Sequence, residues 1–367
     1  MPVFPHTAQM KAEADFLAVS LLLCERERPR MATLAEAGLR WRRIERLARQ
    51  NAVLGPLVRS ILDLHLERHV ESSTIERMRS YYENNAAQNA MLMHDAALVS
   101  SLLRQAGIES VALKGVGLLA TGSLSLGDRH VDDVDLLVDP EAAEAAFAHL
   151  VDRGYRLKCP NAKRPVRHRH MPALLSPLNT SIEIHRSLAF RSVVGAPPFS
   201  SIIEHSFLAP WEGGAIRVPS HDDQLGILCM HVQGAHLRSA ACQSRLIADI
   251  DALLANGARP SQTQERFRAA ASVLESSLAR HQSVLKLAKE RGPCPVAELF
   301  LPSLSPHDVS ERARAIIRLA KRPSAQAFHR IFRPRSWLEE RFGNRPLPVL
   351  WGLHLIRALV PSSLRRW

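Results

Sequence analysis

The sequence predicts an α+β fold, a small mixed β-sheet flanked by N-terminal and C-terminal helical regions. Three observations predict it. Apolar residues recur at three- and four-residue spacing through residues 8–107 and again from Pro219 onward. Between these blocks lie short apolar or alternating runs, VDDVDLLV and TSIEIH, that read as strands. Aromatic residues make up only 5% of the 367 residues against 46% hydrophobic content, which favours a helix-rich core over an all-β one. The pattern divides the chain into an N-terminal helical region (1–107), an α/β core (108–215) and a C-terminal helical region (216–367).

The elements follow in order. Phe16, Val19, Leu22 and Leu23 mark an early amphipathic helix, and Gly55-Pro56 marks a turn or a helix start. Ser72 to Gln105 reads as one long helix with a polar face, capped by Gly107. Ser110 to Leu113 is a short strand, and Gly115-Val116 opens a short helical segment through Ala120. Val131 to Val138 is the strongest strand pattern. Pro140 then starts a helix over Glu141–Asp152, which Gly154 ends, and Tyr155 to Lys158 is a further strand. Thr180 to His185 alternates cleanly. Helical spacing resumes over 221–238, 242–256 and 262–290.

The formal net charge is +12, which suits an anionic partner such as nucleic acid, nucleotide phosphates or a membrane face. Arginine is spread along the chain, so an arginine-rich composition without a single partner explains the charge equally well. The five cysteines are scattered, without a CxxC, which disfavours a disulfide framework or zinc ribbon and fits a reducing cytoplasm. The first residues lack a basic stretch followed by an apolar run, so no signal peptide is expected. No segment reaches the ~20 apolar residues of a membrane span. The absence of GxxxxGK[ST] and GxSxG argues against a P-loop ATPase and an α/β-hydrolase.

Against this basic background, Asp128, Asp132, Asp133, Asp135 and Asp139 crowd into a dozen positions. In a strand, Asp133 and Asp135 share a face, roughly 6–7 Å apart. Two anions side by side on a half-buried strand repel, and burying them unpaired costs several kcal/mol or forces protonation. A cation is needed, and hard divalent cations choose carboxylate oxygens. Glu183, flanked by Ile182 and Ile184 on the other face, is positioned to join them if its strand lies beside the aspartate strand. Three carboxylates on adjacent strands can hold two metal ions, the arrangement that clamps a triphosphate and activates a hydroxyl. The alternative for a bare DxD pair is a surface turn or helix cap.

These residues, LKGVGLLA, DRHVDDVDLLV and SIEIH, resemble the uncharacterised nucleotidyltransferase family of the DNA polymerase β-like superfamily. The resemblance spans roughly residues 85–260 and implies a nucleotidyltransferase core. In it Lys114-Gly115 takes the place of the Gly-Gly or Gly-Ser turn, Asp133 and Asp135 match the acidic pair, and Glu183 matches the third acid. Lys114 departs from the small residue usual there. Further on, His231, His236 and Asp249 match the helical section.

What the resemblance implies is Mg²⁺-dependent transfer of a nucleoside monophosphate from an NTP, with Mn²⁺ as the second candidate metal. Asp133, Asp135 and Glu183 would bind metal and act in catalysis. Lys114, Gly115, Arg129 and His185 would serve the nucleotide and its phosphates. The acceptor is open among RNA, a protein side chain, a sugar phosphate and another small molecule, with the high pI leaning to RNA. A non-catalytic metal- or nucleotide-binding module, or an RNA-binding scaffold, is the alternative.

Three further features stand beside this reading. The loop NAKRPVRHRH, with His168 and His170, could steer an anion or be a solvated loop. His231 and His236 are five apart, which is the wrong spacing for a zinc helix. The tail PLPVLWGLHLIRALVPSSLRRW reads as a packed terminal helix in preference to a peripheral contact with an anionic membrane.

Overall fold

The computed structural model describes residues 4–22, 30–159, 169–188, 195–212, 214–235 and 240–289. The expectations for residues 161–168, for His236, for residue 290 and for the tail from residue 346 fall outside the described residues.

Helices α1 (Phe4–Val19), α2 (Met31–Ala35), α3 (Trp41–Gln50), α4 (Leu54–Asp63) and α5 (Ser72–Gln105) form the N-terminal part. Helix α5 has the bounds its apolar spacing predicts. At its end Gly107 takes a left-handed φ of 74°. The amides of Gly107 and Ile108 reach back to the carbonyls of Arg104 and Leu103 at 2.9 Å each, which closes a Schellman cap.

The core follows: β1 (Ser110–Ala112), α6 (Lys114–Ala120), β2 (Asp133–Val138), α7 (Ala143–Asp152), β3 (Arg156–Leu157), β4 (Leu174–Leu175) and β5 (Ser181–His185). The five strands form one mixed sheet in the order β1-β2-β5-β4-β3, with β2 and β5 parallel and the other pairs antiparallel. After α8 (Phe199–Glu204), strands β6 (Ser206–Trp211) and β7 (Gly214–Pro219) make a separate hairpin. Helices α9 (His221–Ala235), α10 (Ala240–Ala255), α11 (Pro260–Arg266) and α12 (Ala271–Lys289) complete the described chain. One apolar core runs from α5 through the central strands to the later helices, with Leu103, Val134, Leu136, Ile182, Leu225 and Leu253 all buried in it. None of the helices among the described residues is long and apolar enough to cross a membrane.

Several boundaries differ from the sequence pattern, each for a local reason. Strand β2 begins at Asp133 and not Val131, because its partner β5 begins at Ser181, directly opposite Asp133. Helix α7 begins at Ala143 and not Glu141. The Asp139 carboxylate accepts the Glu141 amide at 2.9 Å and makes a turn of the residues around Pro140. The expected helix over 262–290 is broken at Phe267, whose ring packs against the bare Cα of Gly226 on α9. The β6–β7 hairpin has no counterpart in the sequence reading, and β7 runs across the 215–216 boundary drawn between core and C-terminal region.

The segment leading into β2 is fastened to α5 and α4. Asn85 Nδ2 donates to the carbonyls of Gly127 and Arg129 at 3.0 and 3.1 Å, and Asn89 Nδ2 donates to those of Leu126 and Arg129 at 2.6 and 2.7 Å. Asp128, 2% exposed, accepts Tyr82 Oη at 2.9 Å and Arg59 Nη1 at 2.6 Å. Gly55 on α4 lets the chain approach so closely that a Cβ there would overlap the Asp128 carbonyl. Gly55→Ala is therefore expected to lower unfolding free energy by about 1–3 kcal/mol, although alanine gains about 1 kcal/mol in helix propensity. Urea denaturation checks this, and an equally or more stable variant contradicts the packing described.

Candidate active site

The parallel pairing of β2 and β5 sets Asp135 directly opposite Glu183, with Asp133 opposite Ser181 and Leu137 opposite His185. Alternation then sends Val134, Leu136, Ile182 and Ile184 into the core, all essentially buried. The other face carries Asp133, Asp135, Glu183 and His185. Asp135 is 2% exposed and His185 1% exposed, while Asp133 and Glu183 are half-buried.

Two basic side chains are already built against this face. Lys114 Nζ lies 2.8 Å from Asp135 Oδ1, and His185 Nε2 lies 2.6 Å from the same oxygen and 3.6 Å from Glu183 Oε2. Lys114 is held in the left-handed region, φ 52°, where a non-glycine residue carries backbone strain. The neighbouring Leu113 amide bonds the Asp135 carbonyl at 2.9 Å, so the β1–α6 turn is tied to β2 at the point where the lysine reaches across. His170 stands over the same face. Its Nδ1 lies 2.8 Å from its neighbour Met171's carbonyl, and its Nε2 lies 3.9 Å from Glu183 Oε2.

The carboxylates differ in acidity because their surroundings differ. Burial pushes Asp135 upward, but the hydrogen bond and charge of His185 and the Lys114 ammonium outweigh it and hold the group well below the usual carboxylate range. Glu183 is likewise pressed up by burial and brought below its ordinary value by His185 and His170. Among the described residues, Asp133 has only the charge of Lys114 to lower it. Burial and then the charges of Asp135 and Glu183 push it up to about 6. His185 loses basicity through burial but regains more from Asp135 and Glu183, so it is raised.

Arg129 lies buried behind the Lys114-Gly115 turn. It is 8% exposed, and its Nε lies 3.0 Å from Asp249 Oδ1 on α10. Its guanidinium covers Gly115, where a Cβ would collide with it. Gly115 thus lets a buried arginine lie against the turn that carries Lys114. Burial lowers the Arg129 pKa, and Asp249 offsets part of that.

The remaining aspartates of the crowded stretch have structural partners. Asp128 is bound by Arg59 and Tyr82, Asp132 faces His130 Nε2 at 2.8 Å, and Asp139 makes its turn. His170, read from sequence only as part of a basic loop, is the residue whose proximity was missed. Its isolated bridge to His185 across the sheet has no signature in a loop rich in arginine.

Among the described residues, Asp135, Glu183 and His185 bring potential ligand atoms within 4.8 Å of one another. Asp133 is not in that group but lies one strand step away on the same face. Three carboxylates face Lys114 and His185, and Asp133 is raised first by burial and then by the charges of Asp135 and Glu183. This donor set fits a divalent cation through its carboxylates.

A family model described as uncharacterised nucleotidyltransferase matches residues 37–291. No curated protein matches the chain.

The electrostatics carry a pH prediction. A carboxyl raised to about 6 in the folded protein binds a proton that the unfolded chain releases near 4, so its contribution to stability falls as pH rises through that window. A divalent cation competes with that proton. Millimolar Mg²⁺ or Mn²⁺ should therefore raise the melting temperature more at about pH 7.5 than at about pH 5. Equal shifts at both pH values, read by thermal denaturation, contradict a cation at these carboxylates.

Proposed function

The chain belongs to the uncharacterised nucleotidyltransferase family, and we propose that it moves a nucleoside monophosphate from an NTP to an acceptor hydroxyl. The observation that carries this reading is the set of three carboxylates, Asp133, Asp135 and Glu183, gathered on one face of β2 and β5. In the reaction the acceptor oxygen forms a bond to the α-phosphorus, the bond from that phosphorus to the leaving oxygen breaks, and pyrophosphate departs. Mg²⁺, or Mn²⁺ in its place, would be held by Asp133, Asp135 and Glu183, and when bound would neutralise phosphate charge and acidify the acceptor hydroxyl.

The chain's own residues supply the rest. His185, buried behind the carboxylates, keeps Asp135 ionised and fixes the distance between Asp135 and Glu183. Lys114, strained and bonded to Asp135, is an ammonium placed to turn to the phosphates once Asp135 has another cation. Gly115 and Arg129 shape the turn beneath it, with Arg129 adding positive charge at the back of the site. The acceptor's proton passes to a site carboxylate. A cytoplasmic location accords with the NTP donor and with scattered cysteines.

Calorimetry with each of the four NTPs and Mg²⁺ tests this reading. Wild type should bind at least one of them in a Mg²⁺-dependent manner. Asp133→Asn, at a half-buried position where loss of charge relieves repulsion, should weaken that binding by at least about tenfold while melting no lower than wild type. Unchanged NTP binding in Asp133→Asn refutes the assignment.

A further inference from the structure

The five-stranded sheet has an ammonium beyond each of its edge strands. Lys114 follows β1 at one edge, and Lys158 follows β3 at the other. Leu157 faces Leu174, and Leu174 faces Ile182, so these three share the core side of β3, β4 and β5. Alternation then turns Lys158 to the opposite side, that of Asp133, Asp135 and Glu183. The Lys158 amide continues the pairing with a 2.9 Å bond to the Ala173 carbonyl. From there its side chain reaches over to β5, where Nζ donates to Ser181 Oγ at 3.0 Å. Ser181 stands directly opposite Asp133 and two residues before Glu183. Lys158 thus joins the carboxylate face from the side of β5, and Lys114 joins it from the side of β1.

The two ammoniums differ in what they meet. Lys114 is bonded to Asp135. Lys158 is exposed and, among the described residues, holds a neutral hydroxyl and no carboxylate within ion-pair distance. Its charge extends to Asp132, the residue before β2, and so does that of Arg245 on α10. Arg245 is half-buried and, among the described residues, makes no ion pair of its own. His130 already answers Asp132 at 2.8 Å. The positive charges of Lys158 and Arg245 are therefore left over near the start of β2.

We infer that Lys158 binds a phosphate carried by the acceptor, so that the acceptor is a hydroxyl compound with a phosphate of its own. The inference rests on the nucleotidyl-transfer reading, which turns Lys114 to the triphosphate. In-line displacement keeps the attacking and leaving oxygens on opposite sides of the α-phosphorus. With pyrophosphate leaving toward Lys114, the attacking hydroxyl enters from the β5 side, where Glu183, Ser181 and Lys158 stand. An ammonium without a carboxylate partner selects an anion there. A phosphate monoester carries about two negative charges to set against Lys158 and Arg245. The acceptor's hydroxyl oxygen bonds the α-phosphorus, pyrophosphate departs with the electrons of the broken bond, and the hydroxyl proton passes to a site carboxylate. The acceptor's own phosphate is unchanged. A phosphorylated sugar presents this chemistry either as a small molecule or within an RNA strand, and the experiment separates the two.

The test uses the full chain with Mg²⁺ and α-³²P-labelled NTP. Separate arms offer a panel of sugar phosphates, the same sugars without phosphate, and total RNA. Lys158→Met keeps an unbranched stem and removes the charge at an exposed position, so the fold is kept. The expected result is label in a sugar phosphate or in RNA, which names the source, and none in the unphosphorylated sugars. The KM for that acceptor should rise by about tenfold or more in Lys158→Met and stay within about threefold of wild type in Lys158→Arg. The calorimetric NTP Kd should be the same in all three proteins. Label in an unphosphorylated sugar, or in no phosphate-bearing acceptor, overturns the inference. So does an acceptor KM that Lys158→Met leaves unmoved or that Lys158→Arg raises equally. A weakened NTP Kd in Lys158→Met assigns the lysine to the donor and also overturns it. Failure of wild type to bind any NTP with Mg²⁺ would condemn the nucleotidyl-transfer reading itself, and calorimetry separates that failure from the others.

Discussion

Asp135 and Glu183 stand opposite each other on two parallel strands, and the rest of the site answers that repulsion. Parallel neighbours bring side chains of the same face close together, so two carboxylates in register cannot both stay ionised in a half-buried sheet without cations. The chain supplies two basic side chains. One comes from a lysine in a strained left-handed turn, and the other is a histidine buried one step along β5. They suffice for Asp135 and Glu183 but leave Asp133 with an elevated proton affinity. A protein that needed only stability would have placed an apolar residue at one of these positions. Retaining all three acids fits a surface meant to receive further positive charge.

The N-terminal helices serve this face at one remove. Asn85 and Asn89, one turn apart on α5, hold the four-residue stretch 126–129 by its carbonyls. Tyr82 and Arg59 hold the same stretch by Asp128. Strand β2 therefore leaves a fixed base, and its first residue, Asp133, has a defined place. Asn85 also aims His130 toward Asp132, which links the helix to the edge of the carboxylate cluster. From the far side, Asp249 on α10 holds Arg129 against Gly115. Both helical regions thus fasten the two turns that present the site.

Much of this was legible in the chain. Helix α5 announced itself by period and by its glycine cap, and β2 and β5 by apolar alternation interrupted by acids. The shared face of Asp133, Asp135 and Glu183 followed from strand alternation and the parallel pairing of β2 and β5. Features that depend on distant partners were not legible. The partner of Arg129, Asp249, lies 120 residues on. His170 belongs to a basic loop until sheet pairing sets it beside His185. The break at Phe267 carries no proline or glycine of its own, because its cause is the space above Gly226. The β6–β7 hairpin stayed hidden because its strand SFLAPW exposes Phe207 and Leu208 in succession and contains a proline, which blurs the alternation.

The most direct test of the account is a crystal structure with Mn²⁺ and a non-hydrolysable NTP analogue, with the cation located by its anomalous scattering. The account predicts Mn²⁺ bound by oxygens of Asp135 and Glu183, with Asp133 in its coordination or beside it, and the triphosphate on the Lys114 side. An anomalous peak elsewhere, or a nucleotide bound away from β2 and β5 with Lys114 still bonded to Asp135, would contradict it.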